Sequence, residues 1–334
     1  MKIIEPLSTI GIGSVPFIEG EDGSKIFQVW DIPFWPQYPS RSLKENFVFQ
    51  FLSHFPGLEV TDDNASFDER CYLKETPFYR QDLQKAFEEK RFLAYEPSQD
   101  WALGYSQLKT LLEANRFPER KTVKLQVTGP DTVWNSFFSK SVSKARAGEL
   151  FDDLLMALIV SGLAQIERIH SFRRTPVIFI DEPARSQNTR PLKNMVQYFR
   201  KVDALVGIHL CSNSDWNGLE EIDFDLIHFD LKLWRGTSAE NIFLDRFLKQ
   251  GKWIVLGIIP TPPDKDFQTQ DFSSSLLDPM KGLQGLGWSL DEILQHCLLA
   301  PACGAGTLTP EEDRKVTEGL LHTVERLKNS YFHC

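Results

Sequence analysis

The chain has 334 residues, with 37 Lys and Arg against 46 Asp and Glu, a formal charge of −9. Apolar residues make up 42%, including 25 Phe and 8 Trp, which excludes a disordered chain. Net acidity without a basic tract argues against nucleic acid as a partner, because neutralising phosphates takes clustered Lys and Arg.

The length accommodates two average domains or one large α/β barrel. The longest apolar run, Leu154 to Ala164, is interrupted by Ser161 and Gly162. It falls short of the roughly 20 residues of a bilayer span. The opening residues Met1 to Pro6 lack the pattern of a cleaved leader. A soluble, cytoplasmic protein without a membrane partner is therefore expected. Cys71, Cys211, Cys297, Cys303 and Cys334 are odd in number and sit in a chain with ample core. Reduced thiols or metal ligands are expected rather than a disulfide framework.

In chain order, the first predicted strand is Thr9–Val15 and the second is Ile32–Gln37, followed by a predicted helix over Leu43–Phe55. The next stretch, Gly57–Ser98, reads as long and irregular, with Asp62-Asp63-Asn64, Pro77 and a helical pattern only over Gln81–Glu89. It is placed as an insertion after the second strand's helix that covers part of the mouth of the fold. Predicted strands then follow at Val123–Thr128, Val177–Asp181, Leu205–Cys211, Leu226–Asp230, Trp253–Ile259 and Leu298–Cys303. Predicted helices lie at Ala145–Ser171, Pro191–Val202, Ser238–Gln250, Ser289–His296 and Pro310–Asn329. Val177–Ile180 and Ile254–Ile259 are apolar nearly throughout, as strands covered on both faces require. This alternation predicts an α/β protein, a single (β/α)8 TIM barrel over residues 1–334. The rival, a doubly wound open sheet, lacks its Gly-x-Gly-x-x-Gly turn after the first strand.

Barrels of this kind carry chemistry at the C-terminal ends of their strands. Here those ends read Gly13-Ser14, Thr128-Gly129-Pro130, Asp181-Glu182-Pro183, His209-Leu210-Cys211-Ser212-Asn213, Asp230 and Cys303-Gly304. Core packing gives no reason to collect Ser, Asp, His and Cys there. His209 and Cys211 are two residues apart on one strand, so both can face one point. Imidazole nitrogen and thiolate sulfur are ordinary zinc ligands. Cys303 offers another sulfur and Asp230 an oxygen. A His-x-Cys pair alone is a weak signal, since a reduced Cys is most often a small buried hydrophobe. His228, His296 and Cys297 occur without an evident role. Asp181-Glu182, taken alone, reads as a pair of helix-capping acids. Asn213, Asp215 and Trp216 could support a metal-bound His. Phe34-Trp35-Pro36-Gln37-Tyr38 and Trp134 could face a flat ligand or simply pack loops.

The ordered set Ile12-Gly13-Ser14, Val127-Thr128-Gly129-Pro130, Ile180-Asp181-Glu182-Pro183-Ala184, His209-Leu210-Cys211 and Pro301-Ala302-Cys303-Gly304 resembles the C-terminal catalytic barrel of cobalamin-independent methionine synthase. More broadly it resembles the superfamily shared with uroporphyrinogen decarboxylase. The likeness spans Thr9 to Leu308. It implies zinc held by His209, Cys211 and Cys303, with Asp230 standing where the family has a Glu. It also implies that Ile12, Gly13 and Ser14 hold an amino-acid carboxylate and Asp181 the ammonium. The implied activity is zinc-dependent methyl transfer to a small thiol, homocysteine or a relative, as in methionine biosynthesis. No catalytic side chain is assigned beyond the metal site. A free thiol, with a pKa near about 8.5, is mostly protonated at neutral pH. Coordination to zinc removes that proton.

Three departures bear on the methyl donor. Only one barrel is present, Gln187 stands where the family has a pterin-binding acid, and Gly257-Ile258-Ile259-Pro260-Thr261-Pro262 lacks the family's proton-donating His. Methyl loss from a folate nitrogen needs that proton, and loss from a corrinoid does not. A corrinoid donor is thus favoured over methyltetrahydrofolate. The alternatives are a metal-free enzyme like uroporphyrinogen decarboxylase, and a non-catalytic barrel that binds a corrinoid or another ligand.

Overall fold

The computed structural model describes residues 4–16, 24–183, 185–210, 216–263 and 276–331. The N-terminal third holds helix α1 (Ser24–Val29), strands β1 (Leu58–Val60) and β2 (Ala65–Phe67), and helices α2 (Glu69–Glu89) and α3 (Leu103–Glu113). Strand β3 (Thr122–Thr128) then leads into the short helix α4 (Pro130–Ser136) and the long helix α5 (Ala147–Ser171). Strand β4 (Thr175–Asp181), helix α6 (Arg190–Arg200), strand β5 (Leu205–Leu210) and strand β6 (Leu226–Asp230) follow. Helix α7 (Ser238–Lys249), strand β7 (Trp253–Ile259), helices α8 (Leu277–Gln284) and α9 (Leu290–Leu294), strand β8 (Cys297–Pro301) and helix α10 (Pro310–Tyr331) complete the order.

Strands β3 to β8 form one six-stranded sheet in sequence order, every pair parallel. The alternation of side chains sorts each strand into two faces. Outward residues such as Val123, Leu125, Ile178, Ile180, Ile208, Phe229 and Leu256 join the helices in the larger core. Inward residues Val177, Phe179, Leu226, Val255, Leu298 and Ala300 pack with Ile4, Ile10 and Ile32 into a second apolar cluster. That inner cluster is the floor beneath the polar residues at the strand ends.

Two N-terminal segments flank the sheet through isolated parallel bridges. Thr9 pairs with Leu299 of β8, Ile10 with Ile32, Ser14 with Gln37, and Phe34 with Lys124 of β3. The predicted strands Thr9–Val15 and Ile32–Gln37 are therefore single bridges rather than continuous ladders. Pro33 and Pro36 explain the second case, because proline has no N–H to give to a ladder.

Two other expectations are corrected. Leu43–Phe55 is a 3-10 turn over Leu43–Glu45 followed by further turns, not an α-helix. Short bonds run from Phe49 N to Asn46 O, Leu52 N to Phe49 O and Phe55 N to Leu52 O. The Asn46 side chain also takes the Val48 N–H, at 2.9 Å, in competition with helix formation. Gly57–Ser98 is not irregular. It holds the antiparallel β1–β2 hairpin and the 21-residue α2, whose N-terminus is capped by Asp68 through the N–H groups of Arg70 and Cys71. Pro77 sits inside α2, and Leu73, whose carbonyl loses its partner there, is 43% exposed. Among the described residues, no helix is long and apolar enough to cross a membrane.

Candidate functional site

Sheet register places Thr128 beside Asp181, Asp181 beside His209, and His209 beside His228. All four belong to the inward-facing set, above the apolar floor. Asp230 at the end of β6 and Lys124 and Gln126 of β3 also face inward, Lys124 in register with Val177 and Gln126 with Phe179 of the floor. The β-strand period brings these groups to one face: β4, β5 and β6 switch from apolar to polar at their last inward positions, and the inner face of β3 is polar throughout.

Lys124 is 2% exposed and Asp181 8%. The Lys124 ammonium donates to the Ile12 carbonyl and, at 2.8 Å, to Gln126 Oε1. Gln126 is fixed in turn by its Nε2 bond to the Trp35 carbonyl, 2.9 Å. Burial pushes Lys124 down to about 8, with Asp181 opposing the shift. Burial pushes Asp181 up to about 7, with Lys124 opposing it. Among the described residues, Asp181 Oδ1 is buried without a hydrogen-bond partner. Such an atom costs free energy unless something polar reaches it.

His209 and His228 face each other, with Nδ1 to Nδ1 at 2.6 Å and ring centroids 4.6 Å apart. His228 Nε2 lies 3.1 Å from the Pro301 carbonyl at the end of β8. Burial drives His209 well below the usual imidazole range, and drives His228 down to about 3. Both rings are therefore neutral at pH 7.

Glu182, the neighbour of Asp181, is fully buried and performs a different task. Its carboxylate accepts from Asp131 N at 3.1 Å and Thr132 N at 2.7 Å, and from the Thr132 hydroxyl. It thus closes the first turn of α4, the helix that follows the neighbouring strand. Gly129 is required there, because a Cβ at that position would collide with Glu182 Oε2. The helix-capping reading of Asp181-Glu182 holds for Glu182 and not for Asp181.

At the seam between the N-terminal segment and β8, the Ser14 carbonyl accepts from Ala305 N at 2.7 Å and its hydroxyl from Gly306 N at 3.3 Å. A Cβ on Gly304 would collide with the Ser14 hydroxyl. Ser14 and the Cys303-Gly304 turn are thereby brought together. Contacts now run in a circuit from Ser14 and Ile12 to Lys124, and through Asp181, His209 and His228 to Pro301. The circuit returns to Ser14 through the Cys303-Gly304 turn.

Of the four expected metal ligands, His209 is 6% exposed, and Asp230 and Cys303 are half-buried. Cys211 lies outside the described residues, as do Asn213 and Asp215. Asp230 Oδ1 accepts from Lys232 N at 2.8 Å, and burial raises its carboxyl above the ordinary range. Among the described residues, no group of three or more His, Cys, Asp or Glu side chains is arranged to hold a metal ion. Gly13 has φ +155° and packs against Gln37 and Gln126. Phe34 and Trp35 are buried core, with Trp35 Nε1 donating to Gln165 at 3.0 Å. Trp134 stacks on Phe138 and meets Phe151 edge-on. Phe34 and Trp35 thus belong to the core, and Trp134 packs in an aromatic cluster.

Lys124, Gln126 and His228 are absent from the sequence-predicted set. The signal was available. The alternation that paired His209 with Cys211 also puts His228 in line with Asp230, and Lys124 in line with Gln126 and Thr128.

No protein-family model matches the chain, and no curated protein matches it. Among solved structures, a B12-independent methionine synthase from Shewanella sp. W3-18-1, in complex with selenomethionine, aligns with a TM-score of 0.46 and 12% sequence identity. The alignment covers 66% of this chain and 67% of that one.

Proposed function

We propose that the chain is a zinc-dependent methyltransferase of the methionine-synthase type, which methylates a small thiol such as homocysteine. The observation that carries this reading is the circuit of polar groups at one end of the sheet, centred on the buried, unpartnered Asp181 Oδ1. In this reading the segments around Ile10 and Phe34 act as the first two staves of an eight-stave barrel. Residues 57–98 cover part of its mouth, and the whole chain is one catalytic unit.

His209 fits a zinc ligand: it is a neutral imidazole whose second nitrogen is engaged by a polar partner, the usual arrangement around a metal. Cys211 and Cys303 would supply sulfur, and Asp230 an oxygen. Zinc bound there would supply a deprotonated thiol at neutral pH. The substrate ammonium pairs with Asp181 Oδ1, a buried acceptor with lone pairs to spare. The backbone of Ile12, Gly13 and Ser14 takes the carboxylate. Lys124 stabilises the ionised form of Asp181 from below, so the acid can meet a cation. The apolar floor of Val177, Phe179 and Leu226 excludes water from beneath the thiol. The missing His after Ile259 and the exposed Gln187 favour a corrinoid over a folate as methyl donor.

The test is zinc analysis of the purified protein and of Cys211→Ser, followed by methionine formation from homocysteine with methylcobalamin or methyltetrahydrofolate. About one zinc per chain, lost in Cys211→Ser, and faster turnover with methylcobalamin are expected. Zinc-free protein would turn the reading toward a metal-free decarboxylase-like enzyme. Zinc without turnover would turn it toward a corrinoid-binding barrel. Faster turnover with methyltetrahydrofolate would remove the corrinoid and keep the thiol chemistry.

A further inference from the structure

We infer that His228 is a positioning residue that locks His209 in a single tautomer, with the proton on Nδ1 and the lone pair on Nε2. The argument is proton accounting along three groups. The Pro301 carbonyl can only accept, so His228 Nε2, 3.1 Å away, carries a hydrogen. A neutral His228 has one ring hydrogen, so its Nδ1 holds a lone pair. The 2.6 Å contact between the two Nδ1 atoms needs one hydrogen between them, and only His209 can provide it. His209 Nε2 is then left with its lone pair. Neutrality follows from burial: the rings are 6% and 1% exposed, so a charge on either would be held out of water.

The geometry resists substitution. Gly257 on β7 leaves room for the His228 ring, since a Cβ there would come within 3.1 Å of His228 Nε2. The relay is therefore built from three neighbouring strands and the end of a fourth: β5 gives His209, β6 gives His228, β7 gives the space and β8 gives the carbonyl. It supplies what a ligating imidazole needs, a fixed ring and a committed nitrogen. The tautomer stands on the contacts and the burial of the two rings. Its use, an Nε2 offered to zinc, rests on the reading proposed above.

The experiment is long-range proton–nitrogen NMR of histidine-labelled, metal-free full-length protein at neutral pH, on wild type, His228→Asn and His228→Leu. Wild type should show His209 protonated at Nδ1 and His228 at Nε2. His228→Asn keeps an acceptor opposite His209 Nδ1 and should retain the His209 signature. His228→Leu removes the acceptor and should give a mixture or the opposite tautomer. His209 protonated at Nε2 in wild type, or an unchanged signature in His228→Leu, overturns the inference. If His228→Leu does not fold, wild type and His228→Asn still decide. A parallel cobalt(II) titration reads the zinc proposal separately. It should weaken about 10- to 100-fold in His228→Leu and stay near wild type in His228→Asn. The expected tautomers with no cobalt uptake in any form would retire the metal and leave the relay standing.

Discussion

Two buried aspartates, one where α2 meets α5 and one on the inner face of the sheet, are solvated by the protein in different ways. Asp153 of α5 is 6% exposed and receives the Tyr72 hydroxyl at 2.5 Å and Arg80 at 2.8 and 2.7 Å. Arg80 also reaches Glu149 at 2.9 Å. Burial and the bond to Asp153 push the Tyr72 phenol above its ordinary range. Every lone pair that matters is used, and the network holds the inserted helix to the sheet's outer layer. Asp181 is buried to a similar degree, yet its Oδ1 has no hydrogen-bond partner among the described residues. Its nearby cation, Lys124, spends its hydrogen bonds on Ile12 and Gln126 instead. A saturated carboxylate fastens the fold. An unsaturated one at the same depth costs free energy, and this is the feature on which the proposed substrate contact rests.

This contrast can be broken by substitution. Asp153→Ala strands the buried Tyr72 hydroxyl and leaves the half-exposed Arg80 to Glu149 and water, and should cost about 1–2 kcal/mol in chemical denaturation. A loss below about 0.5 kcal/mol would mean that the junction is not held by this network. Gly129→Ala drives a methyl into the carboxylate that closes α4, and should cost about 2 kcal/mol. Wild-type stability in that variant would show that α4 can shift without penalty.

Glu182 sharpens the comparison through pH. Burial, outweighing the bonds from Thr132 and Asp131, pushes this carboxyl up to about 8. A raised folded-state pKa gives stability that is fully present below the ordinary value near 4.5 and lost as pH rises through about 8. Glu182→Gln should therefore flatten the decline of melting temperature across that window, and a slope equal to wild type would contradict the assignment. Asp181→Asn carries the smallest stability effect, under about 1 kcal/mol, because Oδ1 has no bond to lose. Its effect should appear in binding instead. Homocysteine should weaken far more than a thiol lacking the ammonium, and equal losses would remove Asp181 from substrate recognition.

The comparison also explains what could be read in advance. Strands β3 to β8 were legible because continuous apolar runs bounded by polar residues have few other uses. Leu226–Asp230 and Trp253–Ile259 match the sequence-based boundaries. Asp181, His209 and Asp230 were legible as strand-end residues for the same reason. The N-terminal third was not. Pro77 reads as a helix breaker, yet it lies inside α2, where the exposed position of Leu73 lets water replace the missing bond. The aromatic run Phe47–Phe55 has apolar residues at helical spacing, as in Phe47, Phe51 and Phe55, but Asn46 and tight turns bend it.

The sequence by itself determined the parallel α/β sheet and marked Asp181, His209 and Asp230 as residues at strand ends. These follow from a two-residue period and from apolar content, which are local properties of the chain. Only the tertiary structure decided what each polar group does. Glu182 caps a helix that precedes it by some fifty residues, with its contacts spanning separations of 50 and 51. His228 acquires its partners from β5 and β8, at separations of 19 and 73. Asp153 is saturated by a helix far upstream, while Asp181 is left open. The state of a buried polar group depends on which donors and acceptors reach it across the fold. No period along the chain encodes that.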